Sequence, residues 1–255
     1  MNNQFSAPMP PGFYNMDCME AIRKFPDGFF DLAVVDPPYG NGNSEIGGGV
    51  RFGGIFSRYK VEPVRRKVRQ VQNTTNTDRG NLGREVRKKI IAWDVAPDQS
   101  YFDELFRVSR NQIIWGGNYF DLPPTRCFLI WKKLTISESF SMAMAEYAWT
   151  SFKGNAKVFE CAPQGTSKDQ RFHPTQKPVA LYSWICGLYC KPGMRVLDTH
   201  VGSASSLIAF HRAGLEYWGF EIDENYYNKA RERLENEQRQ VNINDLIMKG
   251  EQLSF

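Results

Sequence analysis

Between Arg195 and Asp223 the chain reads as strand, glycine turn, helix, strand, and this run restricts the fold more than any other feature. RVLD, Arg195 to Asp198, follows the turn-forming Lys191-Pro192-Gly193. Gly202 to Ala213 reads as a helix stopped by Gly214, and Tyr217 to Phe220 as a second strand ending in an acid, Glu221. A glycine in such a turn lets the backbone approach a ligand closely, and the helix start offers N–H groups with no partner inside the helix. An acid closing the next strand can accept both hydroxyls of a ribose. This is the order of an adenosine-binding α/β fold. Gly202 is the one glycine in the turn, so a full dinucleotide fingerprint is absent, and an ordinary strand–turn–helix corner explains the same residues.

The rest of the chain extends the alternation. DLAVVD reads as a buried strand that breaks at Pro37. Ser100, with Asp103 three residues on, predicts an N-cap and a helix through about Val108. Strands are predicted over 112–115, 127–131 and 146–152. Pro178 opens a helix with Leu181, Trp184, Ile185 and Leu188 on one side, and Asp223 caps a long polar helix. The fold class expected is α/β, a mostly parallel sheet with helices on both faces.

Asp36-Pro37-Pro38-Tyr39 stands at the end of the DLAVVD strand. An exocyclic amine on a nucleobase is a poor nucleophile, because its lone pair is delocalised into the ring. A carboxylate and a main-chain carbonyl that accept both N–H hydrogens hold the nitrogen nearer to sp³ geometry and stabilise its developing charge. Asp36 supplies the carboxylate, Pro37 and Pro38 stiffen the turn that presents a carbonyl, and Tyr39 offers a flat face for a base. A Pro-rich turn with Asp36 as a cap is the plain alternative.

Charge is localised. Residues 51–89 hold twelve Lys or Arg against three acids, a net +9 in a chain of +4, so the remainder is −5. A basic insertion on a mildly acidic body is the footprint of a polyanion partner, although a solvated charged loop has the same composition. The glycines at 47, 48, 49, 53 and 54 suggest a segment that orders on its partner. The five cysteines are scattered, odd in number and without a Cys-x-x-Cys pair, which implies reduced thiols and no metal site; Cys186 and Cys190 read as one apolar helix face. No apolar run reaches the roughly 20 residues of a membrane helix. The N-terminus lacks the basic start and apolar stretch of a signal peptide, and a cytoplasmic, nucleoid-associated location is expected.

Taken together, DPPY at 36–39, WGGNYF at 115–120, AEYAWTSF at 145–152, HPTQKP at 173–178 and DTHVGSAS at 198–205 resemble the bacterial and phage amino-methyltransferases of DNA. The likeness is to the beta group, in which the catalytic DPPY precedes the cofactor-binding strand–turn–helix, and it runs from about Phe13 to Leu234. It implies a Rossmann-like S-adenosylmethionine-dependent methyltransferase fold with circularly permuted motif order.

The resemblance assigns roles. Asp36, Pro37, Pro38 and Tyr39 would be catalytic, with Asp36 also bordering the cofactor. Asp198, the backbone of His200, Gly202, Ser203, Ala204 and Ser205, and Lys177 would hold the methionine end of S-adenosylmethionine. Glu221 would bind the ribose, and Asp17 and Cys18 would flank the adenine. Asp at the head of DPPY favours adenine over cytosine. His200 stands where the family usually has an aromatic residue, and Ala204 where it has a glycine. His200 would lie over the sulfonium edge or be a satisfied polar residue, and a helix start should tolerate the extra methyl of Ala204. His173 is expected to be structural and His211 to have no role.

The substrate implied is double-stranded DNA with the target base flipped out, at an unstacking cost of a few kcal/mol that phosphate contacts offset. One catalytic domain, 1–255, is expected, with the basic insertion 41–92 as first candidate for target recognition and 133–172 as second. Arg65, Arg66, Lys67, Arg69, Lys88 and Lys89 are the expected phosphate contacts, and Trp131-Lys132-Lys133 is a further phosphate or solvated strand end. A homodimer and a cognate restriction enzyme are compatible partners. N4-cytosine methylation, a catalytically inactive binding module, and methylation of RNA or protein glutamine are the alternative functions.

Overall fold

The computed structural model describes residues 8–40, 95–138, 143–163 and 171–251, the stretch 241–251 as backbone. The chain divides into two compact units, Met1–Pro37 with Asp98–Phe255, and Pro38–Pro97. In the second unit Gly40 has φ 71°, and a β-carbon there would lie 3.0 Å from that of Ala96. Gly40 and Ala96 therefore lie side by side. Most of this unit, including Arg65, Arg66, Lys67, Arg69, Lys88 and Lys89, lies outside the described residues.

The first unit is built on an eight-stranded sheet in the order β1-β8-β7-β2-β3-β5-β4-β6. The strands are β1 (Gly12–Asn15), β2 (Leu32–Val35), β3 (Gln112–Trp115), β4 (Phe128–Lys133), β5 (Ala145–Thr150), β6 (Lys157–Cys161), β7 (Arg195–Asp198) and β8 (Glu216–Glu221). Every pairing is parallel except those of β5, which runs against both β3 and β4. The described helices are α1 (Cys18–Ile22), α2 (Gln99–Val108), α3 (Val179–Tyr189), α4 (Ser205–Arg212) and α5 (Glu224–Glu251).

Both faces of the central strands are covered, which is why β2, β3 and β7 are buried at nearly every position rather than at alternate ones. On one face Leu32, Val34, Ile113, Trp115, Leu129 and Trp131 pack with α3 and α4. On the other, Ala33, Val35, Ile114 and Leu197 pack with α1 and α2 through Ile22, Phe102 and Leu105. Fully burying such a leucine or isoleucine stabilises the fold by about 1.5–3 kcal/mol. The helices on two faces of a mostly parallel sheet match the fold class expected from the sequence.

Several local expectations are corrected. The cap of α2 is Asp98, not Ser100: its carboxylate accepts from the Ser100 backbone N–H at 3.0 Å. α4 begins at Ser205, not Gly202, because Gly202 and Ala204 both have positive φ and cannot start the helix. Leu188 is 41% exposed, since the buried stripe of α3 runs through Leu181, Tyr182, Ile185 and Cys186 and turns away from it. Cys186 is buried in that stripe, whereas Cys190 is the half-buried C-cap. The strands at β1 and β6 were not anticipated, both being short and at the sheet's edges.

Candidate active site

The parallel order reverses between β7 and β2. From β7 the chain crosses through α4 to β8 on one side, and from β2 it moves through α2 to β3 on the other. In open α/β sheets ligands bind outside the carboxyl ends of the strands at such a reversal. Asp198 ends β7, Asp36 follows β2 directly, Glu221 ends β8, and Asp17 follows β1. The sequence-predicted acids thus converge on one edge of the sheet.

Asp198 is buried. Its Oδ1 accepts from the His200 backbone N–H at 3.0 Å, and its Oδ2 from Ser206 Oγ at 2.5 Å. Burial pushes its carboxyl up to about 7, against those two hydrogen bonds and with help from the charges of Asp36 and Glu221. Glu221 Oε2 accepts from the Gly202 N–H and Oε1 from the Asp223 N–H, both at 2.9 Å. Burial raises this carboxyl too, although both N–H groups oppose the shift. Each oxygen has a second lone pair, so two further hydroxyl donors can be accepted.

The turn between β7 and α4 is closed by the HPTQKP loop. The imidazole of His173 packs on Gly202, where φ is 56° and a β-carbon would meet the ring at 3.2 Å. His173 also sits edge-on to Tyr226 at 4.3 Å and shares a hydrogen bond with Thr175 Oγ1. Burial holds its pKa down at about 4, so it is neutral at neutral pH, as a structural residue should be. Ala204 has φ 61° and ψ 19°, and it is the one non-glycine residue with positive φ among those described. Its methyl is therefore a conformational burden rather than a harmless addition. A β-carbon in this region costs roughly 1–2 kcal/mol.

His200 lies edge-on to Tyr101, with ring centroids 5.5 Å apart, and its Nδ1 is 2.9 Å from Thr199 Oγ1. Tyr101 Oη is 2.6 Å from the same Thr199 oxygen. Burial keeps the His200 pKa at about 4. Asp17 caps α1 by accepting from the Met19 N–H at 2.7 Å, and Cys18 is half-buried beside it. Burial, reinforced by Asp17, pushes the Cys18 thiol up to about 12, so it contributes a packing wall and no nucleophile.

Two site residues escaped the sequence reading. The Lys177 ammonium, almost fully buried, pairs with Asp36 Oδ2 and lies 3.1 Å from Glu146 Oε2. Lys133 Nζ in turn is 2.6 Å from Glu146 Oε1. Trp131 pairs with Glu146 across β4 and β5, so Trp131, Glu146 and Lys133 share a sheet face. Lys133 is therefore a buried ion-pair partner and not a phosphate contact, while the exposed Lys132 pairs with Glu160 at 2.8 Å. Burial raises the Glu146 carboxyl, but the two ammoniums outweigh it and hold the group below the usual carboxylate value. Burial likewise disfavours the Lys177 ammonium, and Asp36 and Glu146 more than offset this and raise its pKa.

Five carboxylates against two ammoniums along this edge make it a seat for a cationic ligand. The donor set fits S-adenosylmethionine: Glu221 for paired hydroxyls, the buried Asp198 for positive charge, and a glycine turn for close backbone approach. No group of three or more His, Cys, Asp or Glu able to hold a metal occurs among the described residues. Pro38 and Tyr39 belong to the unit Pro38–Pro97, whereas Asp36, Asp198 and Glu221 belong to the first unit.

Fold and site together define an α/β protein with a mostly parallel sheet and a carboxylate-lined edge at the reversal of strand order. A family model described as DNA methylase, N6_N4_Mtase, matches residues 130–232. The protein YubD of Escherichia coli (strain K12), provisionally named a methylase, is 24% identical over 235 residues, covering 89% of this chain and 91% of its own. The type II methyltransferase M2.DpnII of Streptococcus pneumoniae is 38% identical over 65 residues, 26% of this chain and 24% of that protein. The structure of the PvuII DNA methyltransferase, cytosine-N4-specific, shares the fold with a TM-score of 0.51 at 12% identity, over 92% of this chain and 96% of that one. Over residues 130–232 the chain is thus similar to DNA methyltransferases of the N6/N4 type.

Proposed function

We propose that this protein transfers a methyl group from S-adenosylmethionine to N6 of an adenine flipped out of double-stranded DNA. The observation that carries the reading is the placement of Asp36 beside Asp198 on adjoining strands at the reversal of the sheet, with Glu221 one strand further. The cofactor supplies an electrophilic methyl group on a sulfonium. Glu221 accepts its ribose hydroxyls, Asp198 and Lys177 hold its methionine end, and Asp17 and Cys18 border its adenine. His200 is uncharged and fixed by Thr199, so it offers a neutral ring edge and not a base.

Asp36 accepts one N–H of the target amine, and a main-chain carbonyl of the Pro37–Pro38 turn accepts the other. Both pull the nitrogen toward sp³ geometry and bear the positive charge that grows on it during transfer. Tyr39 stacks on the base. The basic run from Arg51 to Lys89 supplies phosphate contacts, and base-edge contacts from other side chains supply specificity. N4-cytosine transfer uses the same geometry and is the reading closest to this one. Incubation of duplex DNA with methyl-labelled cofactor, followed by nucleoside separation, tests it. Label in N6-methyladenosine is expected, label in N4-methylcytidine replaces adenine by cytosine, and no label in either refutes the reading.

A further inference from the structure

Lys133, Glu146, Lys177 and Asp36 form a chain of alternating charges along the sheet edge made by the carboxyl ends of β4 and β2 and the amino end of the antiparallel β5. Lys133 and Lys177 are 6% and 5% exposed, and each ammonium lies over an indole: Lys133 over Trp131 at 5.1 Å, Lys177 over Trp115 at 5.4 Å. A buried ammonium needs an anionic partner at all times, because an unpaired charge in such a place costs several kcal/mol. Asp36 can serve a target amine fully only if it is not the sole partner of Lys177. Glu146 is the other protein carboxylate that the structure places against Lys177, at 3.1 Å.

We infer that Glu146 is a positioning residue that shares Lys177 with Asp36 and takes it over when the target amine arrives. This rests on the reading of Asp36 as the acceptor of that amine. Lys133 fixes one oxygen of Glu146 at 2.6 Å and leaves Oε2 turned to Lys177 at 3.1 Å. The ammonium then slides between two carboxylates without becoming unpaired, and Asp36 regains acceptor capacity for the N–H of the base. No bond is made or broken in this exchange. With Glu146 neutralised, Lys177 stays on Asp36 and the amine competes with a buried full charge.

Glu146→Gln strands a positive charge and could act through misfolding alone. The double variant Glu146→Gln/Lys133→Met removes one charge of each sign and restores neutrality, so it separates charge balance from sharing. Single-turnover methyl transfer at saturating cofactor and DNA is measured for the unaltered enzyme, both variants and Glu146→Asp. Sharing predicts transfer slowed about 10- to 100-fold in Glu146→Gln and in the double variant, with KM for DNA and the melting temperature of the double variant near those of the unaltered enzyme. Glu146→Asp should recover most of the rate. A double variant that transfers at the original rate overturns the inference. Label transfer by the unaltered enzyme in the same series keeps failure of this inference distinct from failure of the DNA-methylation reading.

Discussion

Asp36 and Asp198 stand at the carboxyl ends of two hydrogen-bonded strands, and the charge of Asp36 helps to raise the pKa of Asp198. The pair flanks the reversal in strand order, with the proposed catalytic acid on one side and the proposed cofactor acid on the other.

Burial sets the Asp198 carboxyl at about 7, above the roughly 3.9 of an unfolded aspartate. The folded chain therefore binds more protons than the unfolded chain between those values, and this group's effect is a loss of stability as pH rises through them. A cation seated against Asp198 favours its charged form. Cofactor binding should therefore release a proton at about pH 6–7, an effect that fades by about pH 9. Calorimetry in buffers of different ionisation enthalpy reads the release directly. Its absence in the unaltered protein, or its persistence in Asp198→Asn, contradicts the assignment.

Ala204 occupies backbone space suited to glycine. Ala204→Gly relieves that conformation, partly offset by the greater freedom of glycine in the unfolded chain, and should stabilise the fold by about 1 kcal/mol. For a chain of this size that is a rise of about 2–4 °C in melting temperature. An unchanged or lower melting temperature shows that the turn carries no strain.

The basic run is tested by salt. Affinity for duplex DNA should fall linearly in log–log terms, with a slope of about −0.9 per phosphate neutralised. Replacing Arg65, Arg66, Lys67 and Arg69 by alanine should flatten the slope, weaken binding to all sequences alike and leave cofactor affinity unchanged. A wild-type slope in that variant returns the segment to a solvated loop and moves attention to residues 133–172. Of these, β5 and β6 are already part of the sheet.

The candidate site was legible where a single stretch of chain carries it. DPPY, DTHVGSAS and the Glu221 strand each hold chemistry at fixed short spacing, and the structure brings Asp36, Asp198 and Glu221 to one edge. Lys133 and Glu146 were missed because their relation depends on an antiparallel register, Trp131 opposite Glu146, and a one-residue slip would turn one of them to the opposite face. The buried patterning of Trp131 and Lys133 in β4 was the available signal, a lysine two residues on from a core tryptophan. The α2 cap was readable too: Asp98 follows Pro97 and precedes the helix by one residue, a better N-cap position than Ser100. The strain at Ala204 was not readable, since sequence alone does not fix the sign of φ.

Asp36 is the residue on which the proposed chemistry depends most. In Asp36→Ala, Lys177 keeps Glu146 as a partner, so the fold and the proposed cofactor seat at Asp198 and Glu221 should survive. The decisive measurement is labelled methyl transfer to duplex DNA by this variant, beside calorimetric binding of S-adenosylmethionine. Transfer is expected to fall by at least about 10²–10³-fold while the cofactor Kd stays within about threefold. Turnover comparable to that of the unaltered enzyme would remove Asp36 from the mechanism.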